Sequence, residues 1–116
     1  MKLLTKDLER RLPHLYANEE VADPLVIAKF FTPDANWTWY ATEGSWVDED
    51  GYYDTAKDKV DYLFFGLVDG QEAELGYFSL SELSQARGLH GLPVERDLYF
   101  DPAPLSEIRR LIGARS

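Results

Sequence analysis

An α+β domain is predicted: an antiparallel sheet of about four to five strands built from two hairpins, with two to three short helices packed on one face. Three observations predict it. Residues 25–32 and 37–43 are rich in β-branched and aromatic side chains and flank Pro33-Asp34-Ala35-Asn36, a run of turn formers. Residues 59–68 and 71–78 repeat the pattern around Asp69-Gly70, a two-residue hairpin signal. Helix signals occur only outside these pairs. Hairpins dictate antiparallel neighbours, and apolar helix stripes need a sheet face to cover. At 116 residues, 45% hydrophobic, the chain suits one domain over 1–116, long enough to bury about two-thirds of its unfolded surface.

Each element follows from local chemistry. Thr5 N-caps a helix running to Leu12, with Asp7 in its first turn and Leu8 and Leu12 as an i, i+4 stripe; Pro13 ends it. Residues 17–24 are polar and read as a loop. Residues 44–58 hold two glycines and five acidic residues without steady periodicity, so they read as a long loop with at most a short strand at Tyr52-Tyr53. Tyr62-Leu63-Phe64-Phe65 is apolar on both parities, as in a strand covered on two faces. In 71–78, Ala73, Leu75 and Tyr77 share one face, Glu72 and Glu74 the other. Ser79-Leu80-Ser81-Glu82 is a capping box opening a helix to about Arg87, with Gly88 as its C-cap. Residues 94–100 read as a further edge strand. A last helix starts near Leu105 or Ser106 and carries Leu105, Ile108, Leu111 and Ile112 at helical spacing.

The charge is uneven. The net charge is −9, of which residues 43–74, with ten acidic and two basic residues, carry −8. Such a chain is a poor match for a phosphate backbone or an anionic membrane and a good match for a basic or DNA-binding protein partner. Arg109, Arg110 and Arg115 make one small basic patch near the C-terminus. Cysteine is absent, which excludes disulfides, thiolate metal sites and thiol nucleophiles. No secretory leader or membrane span is expected, since Met1-Lys2-Leu3-Leu4 turns polar at once, and the expected location is cytoplasmic.

Six stretches carry a family resemblance: AKFFTPD at 28–34, NWTWY at 36–40, DEDGYYD at 48–54, FFGLV at 64–68, ELGYFSLSEL at 74–83 and LPVERD at 92–97. In order and spacing the chain resembles the domain of unknown function 2958 family over nearly its whole length. The resemblance implies a single-domain cytoplasmic protein of plasmids, phages and integrative elements, encoded near DNA-processing or antirestriction functions. It implies no catalytic residue and no cofactor.

Four groups of residues are candidates for a site. Asp48, Asp50 and Asp54 around Gly51 offer the closely spaced carboxylates that Ca²⁺ takes. The full calcium-loop pattern is incomplete, and the competing reading is a solvated turn whose aspartates cap backbone N–H groups. Trp37, Trp39, Tyr40, Trp46, Tyr52 and Tyr53 form an aromatic set. Most belong to the core of a small sheet, but one face could expose an aromatic strip beside Glu43, Glu72 and Glu74, with Trp46 exposed because it falls in the loop. Arg96, between Glu95 and Asp97, suits either anion recognition or an ion pair locking the C-terminal segment to the sheet. The histidines, His14 and His90, have no nucleophile motif beside them, so catalysis is the lesser expectation.

Together these features predict a small acidic protein-binding or accessory module of mobile genetic elements. Its sharpest form is an inhibitor or DNA mimic acting on a DNA-processing or defence protein. The expected partner is a protein, basic or DNA-binding, without direct nucleic-acid contact. The alternative is a small enzyme or metal-dependent factor using loop 48–58.

Overall fold

Four strands run back and forth as a meander. In the computed structural model, which describes residues 1–114, β2 (Ala28–Phe31), β3 (Thr38–Val47), β4 (Asp61–Asp69) and β5 (Ala73–Ser79) are antiparallel neighbours in that order. The short strand β6 (Glu95–Arg96) adds to the free side of β2, giving five strands. A separate two-stranded ribbon pairs β1 (Leu25–Val26) with β7 (Ala103–Pro104). Helices α1 (Lys6–Arg11), α2 (Leu80–Gln85) and α3 (Leu105–Ala114) complete an α+β fold. Arg115 lies outside the described residues.

Both hairpins form where their turn chemistry places them. The caps hold too: Leu8 N–H donates to Thr5 Oγ1, and Glu82 N–H donates to Ser79 Oγ while that hydroxyl reaches back to Glu82 Oε1. The boundaries differ in six places. The stretch 25–32 divides at Ile27: its N–H still bonds the Ala41 carbonyl of β3, while Leu25 and Val26 before it pair with β7 instead. Strand β3 runs four residues further than 37–43 and takes Trp46 with it. Tyr52-Tyr53 forms no strand. The second hairpin turns through three residues, Asp69 pairing with Ala73. Helix α2 stops at Gln85 with Ala86 as its C-cap, not Gly88, and the strand expected at 94–100 shrinks to two residues.

The helices are divided between the two sheet faces rather than gathered on one. On the first face, Leu8 and Leu12 from the α1 region and Leu83 from α2 pack with Phe30, Phe64 and Phe78. On the second face, Leu105 and Ile108 of α3 pack with Val26, Tyr40 and Leu67. This is why β4 is apolar on both parities: Phe64 serves the first core and Leu67 the second. The start of α3 is held by Asp23, whose carboxylate accepts the Ser106 N–H at 2.9 Å and its hydroxyl at 2.6 Å. Those bonds, the hydroxyl first, keep Asp23 below the usual carboxylate pKa.

Candidate functional site

Four of the predicted aromatic and acidic residues, Trp37, Trp39, Glu72 and Glu74, converge at one corner of the first face. Trp37 and Trp39 lie two residues apart and on the same side of the chain, and their rings stack at 6.1 Å with 28° between planes. Trp39 is directly opposite Val68, and Val68 directly opposite Glu74, so one row crosses three strands. The hairpin turn then brings Glu72 alongside. Trp37 is 43% exposed and borders three shallow depressions. One, of about 580 Å³, is lined by Trp37, Val68, Gln71, Glu72 and Glu74. Another, of about 380 Å³, runs past Trp39 towards Glu82 and Leu83 of α2. Gly70 makes the shelf possible: a Cβ there would run into the Trp37 ring. Glu72 and Glu74 are exposed, and among the described residues neither has an ion-pair partner. A half-exposed indole, backed by a second and flanked by such carboxylates, attracts a cation that can also stack, as a guanidinium does.

Glu43 does not join this corner. It sits on the second face, is 5% exposed, and accepts the Tyr16 N–H at 2.9 Å and the Asn18 N–H at 2.8 Å. The cause is a β-bulge between Ala41 and Glu43, which moves every later residue of β3 to the opposite face from simple alternation. Trp46 is 42% exposed, as expected, but on a strand; its Nε1 donates to Glu9 Oε1 and its ring meets Tyr62 edge-on at 5.3 Å.

Within the acidic loop, Asp48 and Asp50 are engaged by neighbours in the loop itself. Asp48 is 2% exposed and accepts the N–H groups of Asp50 and Tyr52 and the Thr55 hydroxyl. The Thr55 bond first, then the two backbone bonds and the nearby Lys57 charge, hold its carboxyl below the ordinary value against the opposing effect of burial. Asp50 pairs instead with Lys57, and Asp54 is exposed. Among the described residues no group of three or more acidic or histidine side chains stands ready to share a metal ion. Of the remaining aromatics, Tyr52 is exposed, while Tyr53 stacks on His14 at 5.5 Å. Arg96 makes no ion pair among the described residues. Its Nε is buried without a hydrogen-bond partner, and the pair expected of it belongs instead to Lys29 and Asp97 at 3.7 Å.

Sequence reasoning missed Asp34. Its Oδ2 accepts the backbone N–H groups of His90 and Leu92, pinning the 88–92 loop to the β2–β3 turn. The visible signal was a turn aspartate; nothing in the local sequence points 56 residues ahead.

The family described as a protein of unknown function (DUF2958) matches residues 3–112, and the chain belongs to it. No curated protein and no solved structure gives a match.

Proposed function

We propose that this chain is a protein-binding module that takes a short Arg/Lys-rich segment of a partner on the shelf formed by Trp37, Trp39, Glu72 and Glu74. The observation that carries this reading is the stacked indole pair, Trp37 half-exposed and Trp39 partly buried against the core, with Glu74 across the strand row and Glu72 beside it, both without an ion-pair partner among the described residues. Each guanidinium or ammonium set over an indole contributes about 0.5–2 kcal/mol, and neighbouring carboxylates supply the charge-assisted bonds.

The reading is narrower than mimicry of a long duplex. Of the ten acidic residues in 43–74, Glu43, Asp48 and Asp69 are buried, and Asp61 is bonded to the Ser81 N–H and hydroxyl. The six exposed ones divide between the 49–58 loop before β4 and the turn and start of β5 after it, so the shelf rather than a continuous track carries the reading. A cytoplasmic partner, a DNA-processing or defence protein of a mobile-element setting, fits the shelf because such proteins expose basic segments where they meet phosphate.

The test is titration of a Lys/Arg-rich peptide followed by tryptophan fluorescence and calorimetry, beside affinity capture with wild-type and Trp37→Ala bait. Saturable peptide binding is expected, weakened at least ten-fold by Trp37→Ala and several-fold by Glu72→Gln with Glu74→Gln, and one basic partner should be lost from the Trp37→Ala bait. Equal binding of an acidic control peptide, or a partner retained on the Trp37→Ala bait, would overturn the proposal.

A further inference from the structure

The second face carries a different groove, separate from the tryptophan shelf. It lies between residues 16–24 and the β3–β5 sheet and encloses about 410 Å³, a size that suits a small organic molecule. Its floor is a cross-strand row. Glu43 stands opposite Phe65, and Phe65 opposite Tyr77. Leu75 and Val21 add apolar wall, and the Phe65 and Tyr77 rings meet edge-on at 4.9 Å. Tyr16 faces Tyr77 from the other side at 6.5 Å and Tyr53 at 6.1 Å.

Two features distinguish this groove from ordinary surface. Tyr16 adopts φ of 70°, a left-handed conformation that a bulky side chain rarely takes and that persists only when its surroundings impose it. Here Glu43 imposes it, by accepting the Tyr16 and Asn18 N–H groups on its two oxygens. The groove is also electrostatically one-sided. Glu43 and Glu19 line it, and among the described residues no lysine, arginine or histidine does. The effect reaches Tyr77, whose phenol is pushed up to about 12 by its polar contact with Tyr16, by burial, and by the negative charge of Glu43 and Glu19.

We infer that this groove binds a small organic ammonium cation, its apolar body against Phe65, Leu75 and Val21 and its charged head against the groove-facing sides of the Tyr16 and Tyr77 rings. Aromatic faces and carboxylates both favour a cation, while the apolar walls favour one that carries hydrocarbon. A bare metal ion is the poorer match, because both Glu43 oxygens already accept N–H groups. An anion would meet Glu19 and Glu43 without a compensating base.

The test uses hexyltrimethylammonium as the probe, with hexan-1-ol and hexanoate as the neutral and anionic counterparts, by calorimetry and NMR on the full chain. The cation should bind saturably, roughly five-fold or more tighter than the alcohol, and hexanoate should not bind measurably. Tyr77→Ala should weaken the cation about ten-fold, Tyr77→Phe about two-fold or less, and Glu19→Gln several-fold. Trp37→Ala, on the opposite face, should leave it unchanged. Alcohol and cation binding equally, or a loss with Trp37→Ala but not with Tyr77→Ala, would overturn the inference. So would a trimethyllysine peptide that bound ten-fold tighter than the free cation, since the occupant would then be a chain segment. Tyr77, on the edge strand, also borders the depression beside Trp37 and Trp39, so the separation rests on Trp37→Ala for the shelf and Glu19→Gln, which touches only the groove, for this inference; failure of the one and failure of the other are separate results.

Discussion

Replacing Glu43 by glutamine changes one atom type in a buried position and should cost more than its size suggests. The carboxylate accepts two backbone N–H groups, one on each oxygen. An amide keeps one acceptor, so one of the two N–H groups must face an NH₂ donor, and an unsatisfied donor costs about 1–3 kcal/mol. The surviving bond loses its charge assistance, which accounts for roughly another 1 kcal/mol. Relaxation of Tyr16 from φ of 70° returns part of this, since such strain is worth about 1–3 kcal/mol. The net expectation is about 2 kcal/mol, or a fall in Tm on the order of 8 °C for a chain of this length. Circular dichroism melting and urea titration measure it, with exposed Glu19→Gln as the control expected to move less than about 0.5 kcal/mol. Hydrogen exchange adds a local readout: the Tyr16 and Asn18 amides should lose protection before the β4 amides do. A Glu43→Gln protein with unchanged Tm and unchanged protection at both amides would refute the reasoning.

Three further outcomes are expected. Gly66→Ala places a Cβ against the Tyr40 backbone carbonyl, where no side chain can yield, and should destabilise by about 2 kcal/mol or more by urea titration; a change under about 0.5 kcal/mol would show that the bulge tolerates a wider strand spacing. Gly70→Ala meets only the far end of the exposed Trp37 ring, so stability should stay within about 1 kcal/mol, while the near-ultraviolet dichroism of the indole stack falls and basic-peptide affinity weakens; an unaltered dichroism signal would count against the close Gly70–Trp37 contact. Asp48 and Asp23 both titrate below their ordinary value of 3.8 in the fold, so their contribution is complete above that pH and is lost as pH falls through the lower folded values. Asp48→Asn should therefore be less stable at pH 7 and decline less steeply below about pH 4, and parallel wild-type and variant curves would exclude the role assigned to Asp48.

The sequence made some elements legible because their causes are local. Thr5 and Ser79 cap the helices that follow them, and the turn formers at 33–36 and 69–70 place both hairpins, since capping and turn chemistry act within a few residues. Strand limits were less legible. Around Trp46, glycine, serine and a following acidic run mask strand character and read as loop, whereas pairing with 61–63 extends β3 through Val47. The third helix was placed on the wrong side because amphipathicity says that a stripe is buried, not which face receives it; β1–β7 pairing and the Asp23–Ser106 bonds decide that at long range. At the candidate shelf, strand parity pairs Trp37 with Trp39 and Glu72 with Glu74, and the structure brings the four to one corner. Tyr16 and Tyr77 are not legible in this way, because Tyr16 lies in a polar stretch with no period and acquires its position only through Glu43.

The bulge in β3 explains the main error and also the division of labour between the faces. Simple alternation puts Glu43 on the side of Trp39 and Ala41, which is the side of Phe64 and the larger core. A carboxylate there would be buried among aromatic rings without partners, at a cost of several kcal/mol. The extra residue, Thr42, shifts the register between Ala41 and Glu43, so that Gly44 rather than Glu43 faces Phe64 and Phe78. Thr42 is itself satisfied, its hydroxyl donating to the Phe65 carbonyl at 3.0 Å. Gly66 is the companion residue on β4, since only the absence of a Cβ lets the Tyr40 carbonyl approach so closely. The same shift sends Trp46 to the first face, over Tyr62, and Glu43 to the second, where it anchors residues 16–18 and forms the groove floor. One inserted residue thus keeps a charge out of the core, builds the cation groove on one face and leaves the tryptophan shelf on the other. A deletion of Thr42 should consequently abolish both the fold of residues 14–18 and the groove, a loss that no single substitution on either face would reproduce.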